Sequence, residues 1–312
     1  MRQAASAAEP PPAEPRAAAA APTISDDRPI LGMALMVAGI IVFSVMDGLS
    51  KYLTNGYSPI EIAWIRYVFL LACLIPALIA EGPSRGLATP NPGLQILRGL
   101  GMLGSTLLFI LALANLPIAD ATVIGLLSPF IVAAASLPML GERVGVSRWL
   151  AILAGFAGVM VAVQPGSDAF RWAALFPLLA SAAWALAFLI TRQAREADSS
   201  QVMLGYTGLV GAAVTTLALP FVWVWPTPAD WLVMLAASGC YALAQWLLVL
   251  ALRFASAALV APLSYTQIVW AGLIGALFFG TTPDLATVIG SLIIVASGIF
   301  IWHHERRAAT PR

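Results

Sequence analysis

The sequence is poor in charged residues, cysteine and histidine, and each scarcity narrows what the chain can be. Charged residues make up 10% of its 312 residues, whereas a soluble domain has about a quarter. Cys73 and Cys240 both lie in apolar runs, which excludes a disulfide framework. His303 and His304 are adjacent and point to different faces of a helix, so they make a poor metal pair. A net charge of +1 gives no support for a nucleic-acid partner.

Motifs for ATP binding and for nucleophilic catalysis are also lacking. The sequence contains neither a P-loop nor a nucleophile beside a base, so we predict no enzyme activity and no cofactor. Residues 1–29 are rich in alanine and proline and lack the apolar core of a signal peptide. We therefore predict that they form a disordered cytoplasmic tail.

Apolar residues are what the chain has in abundance. They make up 60% of it, with a mean hydropathy of +0.89, which predicts an all-α polytopic membrane protein. A membrane helix needs about 20 apolar residues. Punctuation by proline, glycine and charge divides the chain into ten such segments, approximately 30–53, 59–80, 95–114, 118–140, 147–164, 171–191, 201–224, 230–252, 257–279 and 285–303.

Lysine and arginine are distributed very unevenly over the connections between these segments. When the connections are assigned alternately to two sides, one side carries 13 basic residues and the other carries only Arg171. Basic residues mark the cytoplasmic side. We therefore predict a multi-pass protein of the bacterial inner membrane with both termini in the cytoplasm.

Ten segments divide into two sets of five, and an odd number per set makes the two halves inverted relative to each other. A weak internal repeat supports this division. Residues 111–113 and 250–252 both read Leu-Ala-Leu, 139 residues apart, and a spacing of 140 sets Arg66 opposite Tyr206. Inverted repeats are typical of secondary transporters, whose substrate site lies near the midplane between the halves.

The ends of the two halves carry motifs that resemble a known family. The first half ends in MLGERVGVSRWLAILAGFAGVMV and the second in FFGTTPDLATVIGSLIIVASGIFI. With ten spans, this pattern resembles the EamA branch of the drug/metabolite transporter (DMT) superfamily. The resemblance implies a first EamA repeat at 30–165, a second at 166–304 and a short cytoplasmic tail at 305–312.

Within that branch, Lys51-Tyr52-Leu53, Glu61, Arg66, Leu97-Arg98-Gly99-Leu100 and Arg148-Trp149 are most similar to S-adenosylmethionine uptake carriers. The resemblance implies a secondary active transporter that moves a small polar organic metabolite by alternating access. Riboflavin or another vitamin, and export of amino acids or drugs, are alternatives on the same scaffold. A non-transporting receptor or an intramembrane enzyme is the alternative from another class.

Four charged residues lie within or beside the first two apolar segments: Asp47, Lys51, Glu61 and Arg66. A charge at the centre of a membrane helix costs roughly 2.5–3.5 kcal/mol on insertion scales. Asp47 and Lys51 are four residues apart and share a helix face. One interpretation is a structural network joining the two helices. The other is that Arg66 faces a cavity and binds an anionic group of the substrate, while Asp47 orients it or exchanges a proton.

Polar and aromatic residues deep in the second half are candidates for the opposite wall of a substrate site. An aromatic substrate would stack on them, and the alternative is helix packing. They are Trp184, Tyr206, Tyr241, Gln245, Tyr265, Gln267 and Trp270. Ser128-Pro129 is predicted to bend the fourth segment. The predicted partners are a small-molecule substrate, the lipid bilayer, and a coupling proton or counter-substrate; no metal is expected.

Overall fold

A computed structural model describes residues 28–81, 87–140, 146–165, 172–194, 198–255 and 257–309. The predicted N-terminal tail lies, up to residue 27, outside these ranges. So does the Gly141-Glu142-Arg143 part of the first family motif.

The described residues fold into twelve α-helices and short 3₁₀ segments. The helices are α1 (Pro29–Leu53), α2 (Pro59–Glu81), α3 (Pro92–Asn115), α4 (Ile118–Gly125), α5 (Ser128–Leu140), α6 (Val146–Val163), α7 (Leu175–Ala194), α8 (Ser200–Ala218), α9 (Pro228–Phe254), α10 (Ala257–Val260), α11 (Gln267–Phe279) and α12 (Leu285–Ala309). The 3₁₀ segments are Trp172–Ala174, Leu219–Phe221 and Ala261–Thr266.

These helices confirm the all-α fold with ten membrane crossings. Nine segments of the described chain are long and apolar enough to span a membrane, and a shorter apolar helix at Trp149–Val163 supplies the fifth crossing. The α4 and α5 helices together form the fourth crossing, and α10 and α11 with the 3₁₀ segment between them form the ninth. The last candidate span, Leu285–His303, has the predicted limits, and the helix that contains it continues to Ala309.

Pro129 interrupts the fourth crossing, as its position predicts. The helix stops at Gly125 and resumes at Ser128, because proline has no N–H to donate to the carbonyl four residues earlier. The Gly125 carbonyl oxygen instead lies 3.1 Å from the Ser181 hydroxyl of α7, which shares its hydrogen between this acceptor and the Pro177 carbonyl of its own helix at 2.7 Å. A backbone break in a membrane is tolerated when a neighbouring helix supplies the missing hydrogen bond.

Replacing Ser181 with alanine removes that donor and is expected to lower the free energy of unfolding by about 1 kcal/mol. Thermal unfolding in detergent measures the change. Ser297→Ala is the matched control, because the Ser297 hydroxyl bonds to Ile293 within its own helix. Equal stability of the two variants would show that the Gly125 carbonyl does not depend on Ser181.

The ninth crossing is interrupted at the corresponding place in the second half. Its backbone passes from α10 into the 3₁₀ segment Ala261–Thr266, which contains Pro262, and then into α11. The α11 helix ends at Gly280, which has φ +62°, and the Thr281 N–H closes the end on the Gly275 carbonyl. Interrupted helices at matching positions of two repeats are the best sequence pointer to a transporter binding site.

The helix contacts show the symmetry of the two halves. The first crossing, α1, packs on the eighth, α9, and the third, α3, packs on the sixth, α7. Exchanging each crossing with its counterpart five places along converts the first pair into the second. The second and seventh crossings pack on each other, as do the fourth and ninth and the fifth and tenth. This is the pairing that a 5+5 repeat with a two-fold pseudo-axis produces.

The fifth and tenth crossings, α6 and α12, approach through glycine. A Cβ built on Gly290 would lie 2.5 Å from the Gly158 carbonyl oxygen and 2.8 Å from Ala162 Cβ. A Cβ built on Gly155 would meet the Phe130 ring at 2.8 Å. Small residues let membrane helices come this close, so Gly155, Gly158 and Gly290 of the family motifs serve helix packing.

Candidate functional site

Arg66 lies at the meeting point of α1, α2 and α9. It is 7% exposed, and its Nη2 donates to the Ser50 hydroxyl at 2.9 Å. The Ser50 hydroxyl donates in turn to the Met46 carbonyl at 2.8 Å, so Ser50 is fixed as an acceptor for Arg66. The guanidinium carbon lies 5.6 Å from the centroid of the Tyr241 ring, within cation–π range.

One polar atom of this guanidinium is unused. Arg66 Nε is buried and has no hydrogen-bond partner among the described residues. A buried N–H without a partner costs the desolvation of that group, about 1–3 kcal/mol, so such atoms are rare unless they have a role. The Nε–H of Arg66 can therefore donate one further charge-assisted hydrogen bond.

Asp47 lies on the same helix as Ser50, three residues earlier, and is 1% exposed. Its Oδ2 accepts from Gln267 Nε2 of α11 at 3.4 Å, beyond the usual 2.7–3.2 Å of such a bond. The Asp47 carboxylate thus forms only a weak hydrogen bond with the interrupted ninth crossing.

Lys51 has a different environment from the one that its spacing to Asp47 predicts. Its Nζ donates to the Leu113 and Leu116 carbonyl oxygens, each at 2.7 Å, and lies 5.7 Å from the centroid of the Phe279 ring. The last carbonyls of a helix have no partner within it, so Lys51 satisfies the end of α3. Glu61 has yet another partner, because its Oε2 accepts from the Val224 N–H at 3.3 Å. The described hydrogen bonds of the four charged residues go to separate neutral groups, while Asp47 and Arg66 also attract each other as opposite charges.

The structure brings part of the predicted second wall to this site. Tyr241 faces Arg66, and Gln267 reaches Asp47. Gln245 follows Tyr241 by one turn of α9 and is half-buried. Trp270 follows Gln267 by one turn of α11, and its indole Nε1 is buried without a partner among the described residues. The α11 helix, whose Gln267 bonds to Asp47, thus also carries a second unused hydrogen-bond donor, the Trp270 N–H.

Three other predicted residues have different surroundings. The Trp184 ring stacks on Phe188 of its own helix, with centroids 5.1 Å apart. The Tyr265 hydroxyl packs on Gly298 of α12, and its ring joins the apolar cluster around Phe130. Tyr206 is half-buried on α8. Of these three, the structure gives Trp184 and Tyr265 contacts that serve packing.

Arg98 is the residue that sequence reasoning misplaced. The charge count included it among the 13 basic residues of the cytoplasmic side, although it falls within the third predicted segment, 95–114. In the structure it lies inside α3 and is 5% exposed. Its Nε donates to the Thr191 hydroxyl at 2.6 Å, and its Nη1 donates to the Met203 carbonyl and the Thr207 hydroxyl, each at 2.7 Å. Arg98 thus joins the third, sixth and seventh crossings.

The Arg66 and Arg98 sites are related by the internal repeat. Ser50 donates to Met46, and Thr191 donates to the Ala187 carbonyl; each residue of the second pair lies 141 positions after its counterpart. Each hydroxyl also accepts from a buried arginine. The arginines differ in origin, since Arg66 comes from the second crossing and Arg98 from the third.

The helix caps repeat at the same spacing. The Ser58 hydroxyl accepts from the Glu61 N–H, and the Ser199 hydroxyl accepts from the Val202 N–H, again 141 residues later. The spacing of 140 inferred from the sequence for this region is therefore wrong by one residue, and Arg66 corresponds to Thr207. A serine N-cap precedes the apolar run in each half, at Ser58 and Ser199. Aligning these two serines would have given the correct spacing of the repeat from the sequence.

Proteins of known name resemble this chain along nearly its whole length. An S-adenosylmethionine uptake transporter of Rickettsia bellii is 26% identical over 282 residues, covering 90% of this chain and 97% of the relative. A riboflavin transporter of Rhizobium johnstonii is 30% identical over 287 residues, covering 91% and 95%. A pseudopaline exporter of Pseudomonas aeruginosa is 30% identical over 275 residues, covering 86% and 94%.

The fold has a counterpart of known structure. A protein solved by crystallography matches with a TM-score of 0.61 and 23% sequence identity, over 88% of this chain and 98% of its own. The model of the EamA-like transporter family matches residues 30–164 and again residues 171–302. With its ten crossings and two matching halves, this chain belongs to the EamA-like transporter family of the DMT superfamily and is a multi-pass membrane transporter.

Proposed function

We propose that this transporter is a secondary carrier of a small zwitterionic metabolite that bears a flat heteroaromatic ring, of the S-adenosylmethionine type. The observation that carries the proposal is the pair of buried, opposite charges, Arg66 and Asp47, each with unused or weakly used hydrogen-bonding capacity. Most buried polar atoms in proteins are hydrogen-bonded, so the unused capacity of this pair favours a role beyond structure.

Each group of such a substrate has a matching group in the site. The guanidinium of Arg66 presents a rigid, permanently charged fork to a carboxylate. The carboxylate of Asp47 suits an ammonium or sulfonium group. The rings of Tyr241 and Trp270 offer faces for a heteroaromatic base, and the free Trp270 N–H is a donor to a ring nitrogen. S-Adenosylmethionine carries all of these groups.

The interrupted helices suit alternating access. The breaks in the fourth and ninth crossings give each half a joint at which short helices reorient, and Gln267 connects the second joint to Asp47. We propose operation in the bacterial inner membrane with both termini cytoplasmic, driven by a proton or by exchange for a counter-substrate. The direction then follows from the gradients that the cell maintains.

Riboflavin is the second candidate substrate. Relatives that carry this name are 30% identical to the chain, and a flavin would stack on the same Tyr241 and Trp270 rings. A flavin has no carboxylate or ammonium group, so it would offer no charged partner to Arg66 or Asp47.

Uptake into proteoliposomes tests the proposal. Labelled S-adenosylmethionine and labelled riboflavin are offered separately to liposomes with and without the purified protein, and with unlabelled substrate trapped inside to allow exchange. We expect saturable uptake of S-adenosylmethionine that excess riboflavin inhibits weakly. Saturable riboflavin uptake alone would replace the proposed substrate, and no uptake of either, with or without exchange, would overturn both assignments.

Replacing Asp47 with asparagine separates the two candidates further. The variant keeps an acceptor for Gln267 and loses the negative charge, so the KM for S-adenosylmethionine is expected to rise at least tenfold, about 1.4 kcal/mol. Transport of a neutral flavin, if it occurs, should be little changed. Equal KM values for the variant and the natural protein would remove Asp47 from the substrate site.

A further inference from the structure

We propose that Glu61, together with Trp64, Trp223, Trp225 and Trp231, forms a second binding site, specific for organic onium cations. The site lies at the end of the bundle that contains the α1–α2 turn. This site is separate from the substrate site around Arg66 and Asp47.

Glu61 supplies the negative charge. Its side chain is 0% exposed. The Oε2 atom accepts from the Val224 N–H at 3.3 Å, whereas Oε1 is buried and has no partner among the described residues. A neutral glutamine at this position would accept from the Val224 N–H equally well. The bond to Val224 therefore does not explain why the residue is a charged glutamate. A buried carboxylate with an unused oxygen calls for a cation.

Tryptophan rings supply the rest of the site. Trp223 lies at the centre of three aromatic contacts, with centroid distances of 5.7 Å to Trp64, 5.5 Å to Trp225 and 6.4 Å to Trp231. The Trp64 and Trp225 rings both stand nearly perpendicular to Trp223, at 85°. Indole rings of this kind are the groups that bind quaternary ammonium ions in aromatic cages.

Chain connectivity brings the carboxylate and the rings together. Trp64 follows Glu61 by three residues on α2, so the two share a helix face. On the other side, the residue bonded to Glu61 is Val224, which lies between Trp223 and Trp225 in the chain. Glu61 is therefore bonded through Val224 to the segment that carries Trp223 and Trp225, and Trp64 lies one turn away on α2.

The segment that contains Val224 is anchored to the α1–α2 turn near residue 227. Tyr57 donates to the Asp230 carboxylate at 2.7 Å and accepts from the Thr227 N–H at 3.3 Å. The hydrogen bond to Asp230 raises the pKa of Tyr57, so the phenol stays a donor. Trp225 is 80% exposed. Lifting residues 222–225 while residue 227 stays anchored would open Glu61 to solvent beside an exposed ring.

An onium group fits this site better than a metal ion or an ammonium group. Three or four methyl or methylene groups spread the positive charge over a surface that indole faces contact, whereas a metal ion needs several oxygen ligands. A sulfonium is an onium group, so the zwitterionic substrate would bind here first and at Arg66 afterwards. This order of binding rests on the proposed function, whereas onium binding itself does not.

Saturation-transfer NMR on the detergent-solubilised full chain tests the site without requiring transport. The probes are tetramethylammonium, choline, and 3,3-dimethylbutan-1-ol, the neutral isostere of choline. We expect saturable transfer to both cations, with each cation competing against the other, and no saturable transfer to the neutral alcohol. Equal binding of the alcohol would reduce the site to an apolar surface and overturn the proposal.

Two variants locate the binding. Glu61→Gln keeps an acceptor for Val224, and Trp223→Ala removes the central ring; each is expected to weaken cation binding at least tenfold. Trp246→Ala is the matched control, because Trp246 is 60% exposed on α9. Thermal unfolding verifies that each variant is folded. Unchanged affinity in folded Glu61→Gln protein would overturn the proposal, and onium binding that persists while all uptake fails would overturn only the proposed function.

Discussion

Replacing Arg66 with glutamine is expected to reduce uptake of the zwitterionic substrate about 100-fold in kcat/KM. The substrate carboxylate would lose a charge-assisted partner in a buried site, where such a pair exceeds a neutral hydrogen bond by a wide margin. A factor of 100 corresponds to about 2.7 kcal/mol. Initial rates of uptake into proteoliposomes, at equal protein content, measure the loss.

Two companion variants separate binding from folding. Arg66→Lys keeps the charge but not the planar fork, so it should fall between the natural protein and glutamine. Ser50→Ala removes the acceptor of Arg66 Nη2 and should cost far less, because the cation–π contact with Tyr241 remains. A folded glutamine variant with full uptake would assign Arg66 to structure alone.

Replacing Gly290 with alanine is expected to destabilise the protein, because the added methyl group would meet backbone-linked atoms of the neighbouring helix α6. The new Cβ would lie 2.5 Å from a backbone oxygen of Gly158 and 2.8 Å from a second backbone-linked atom, Ala162 Cβ. Neither atom can rotate away, so α6 and α12 must separate. Overpacking of this kind typically costs about 1–3 kcal/mol, and Gly290→Leu should prevent recovery of folded protein.

The same substitution elsewhere is the control. A Cβ on Gly239 of α9 meets nothing within 4 Å, so Gly239→Ala should leave stability unchanged or raise it, since alanine favours a helix by up to about 1 kcal/mol. Midpoints of thermal unfolding in detergent compare the two. Equal midpoints would show that α6 and α12 tolerate separation and that the glycine contact is not needed.

The positions of the membrane crossings were determined by the sequence alone. Burial of an apolar helix in lipid depends on the local run of residues, so predicted limits such as 59–80 lie within a few residues of Pro59–Glu81. Pro129 likewise predicted the break in the fourth crossing, because a missing N–H acts on its own helix. Resemblance in the two family motifs was enough to indicate the family.

The partners of the polar groups were decided only by the tertiary structure. The spacing of Asp47 and Lys51 suits an ion pair, yet Lys51 turns to the end of α3 and Asp47 to α11. Arg98 looked like a surface cation and is buried among three crossings. In lipid a buried donor takes whichever acceptor the neighbouring helix presents, and that choice depends on residues more than 60 positions away in the chain. Local sequence fixes which groups need partners, and helix packing determines which partners they find.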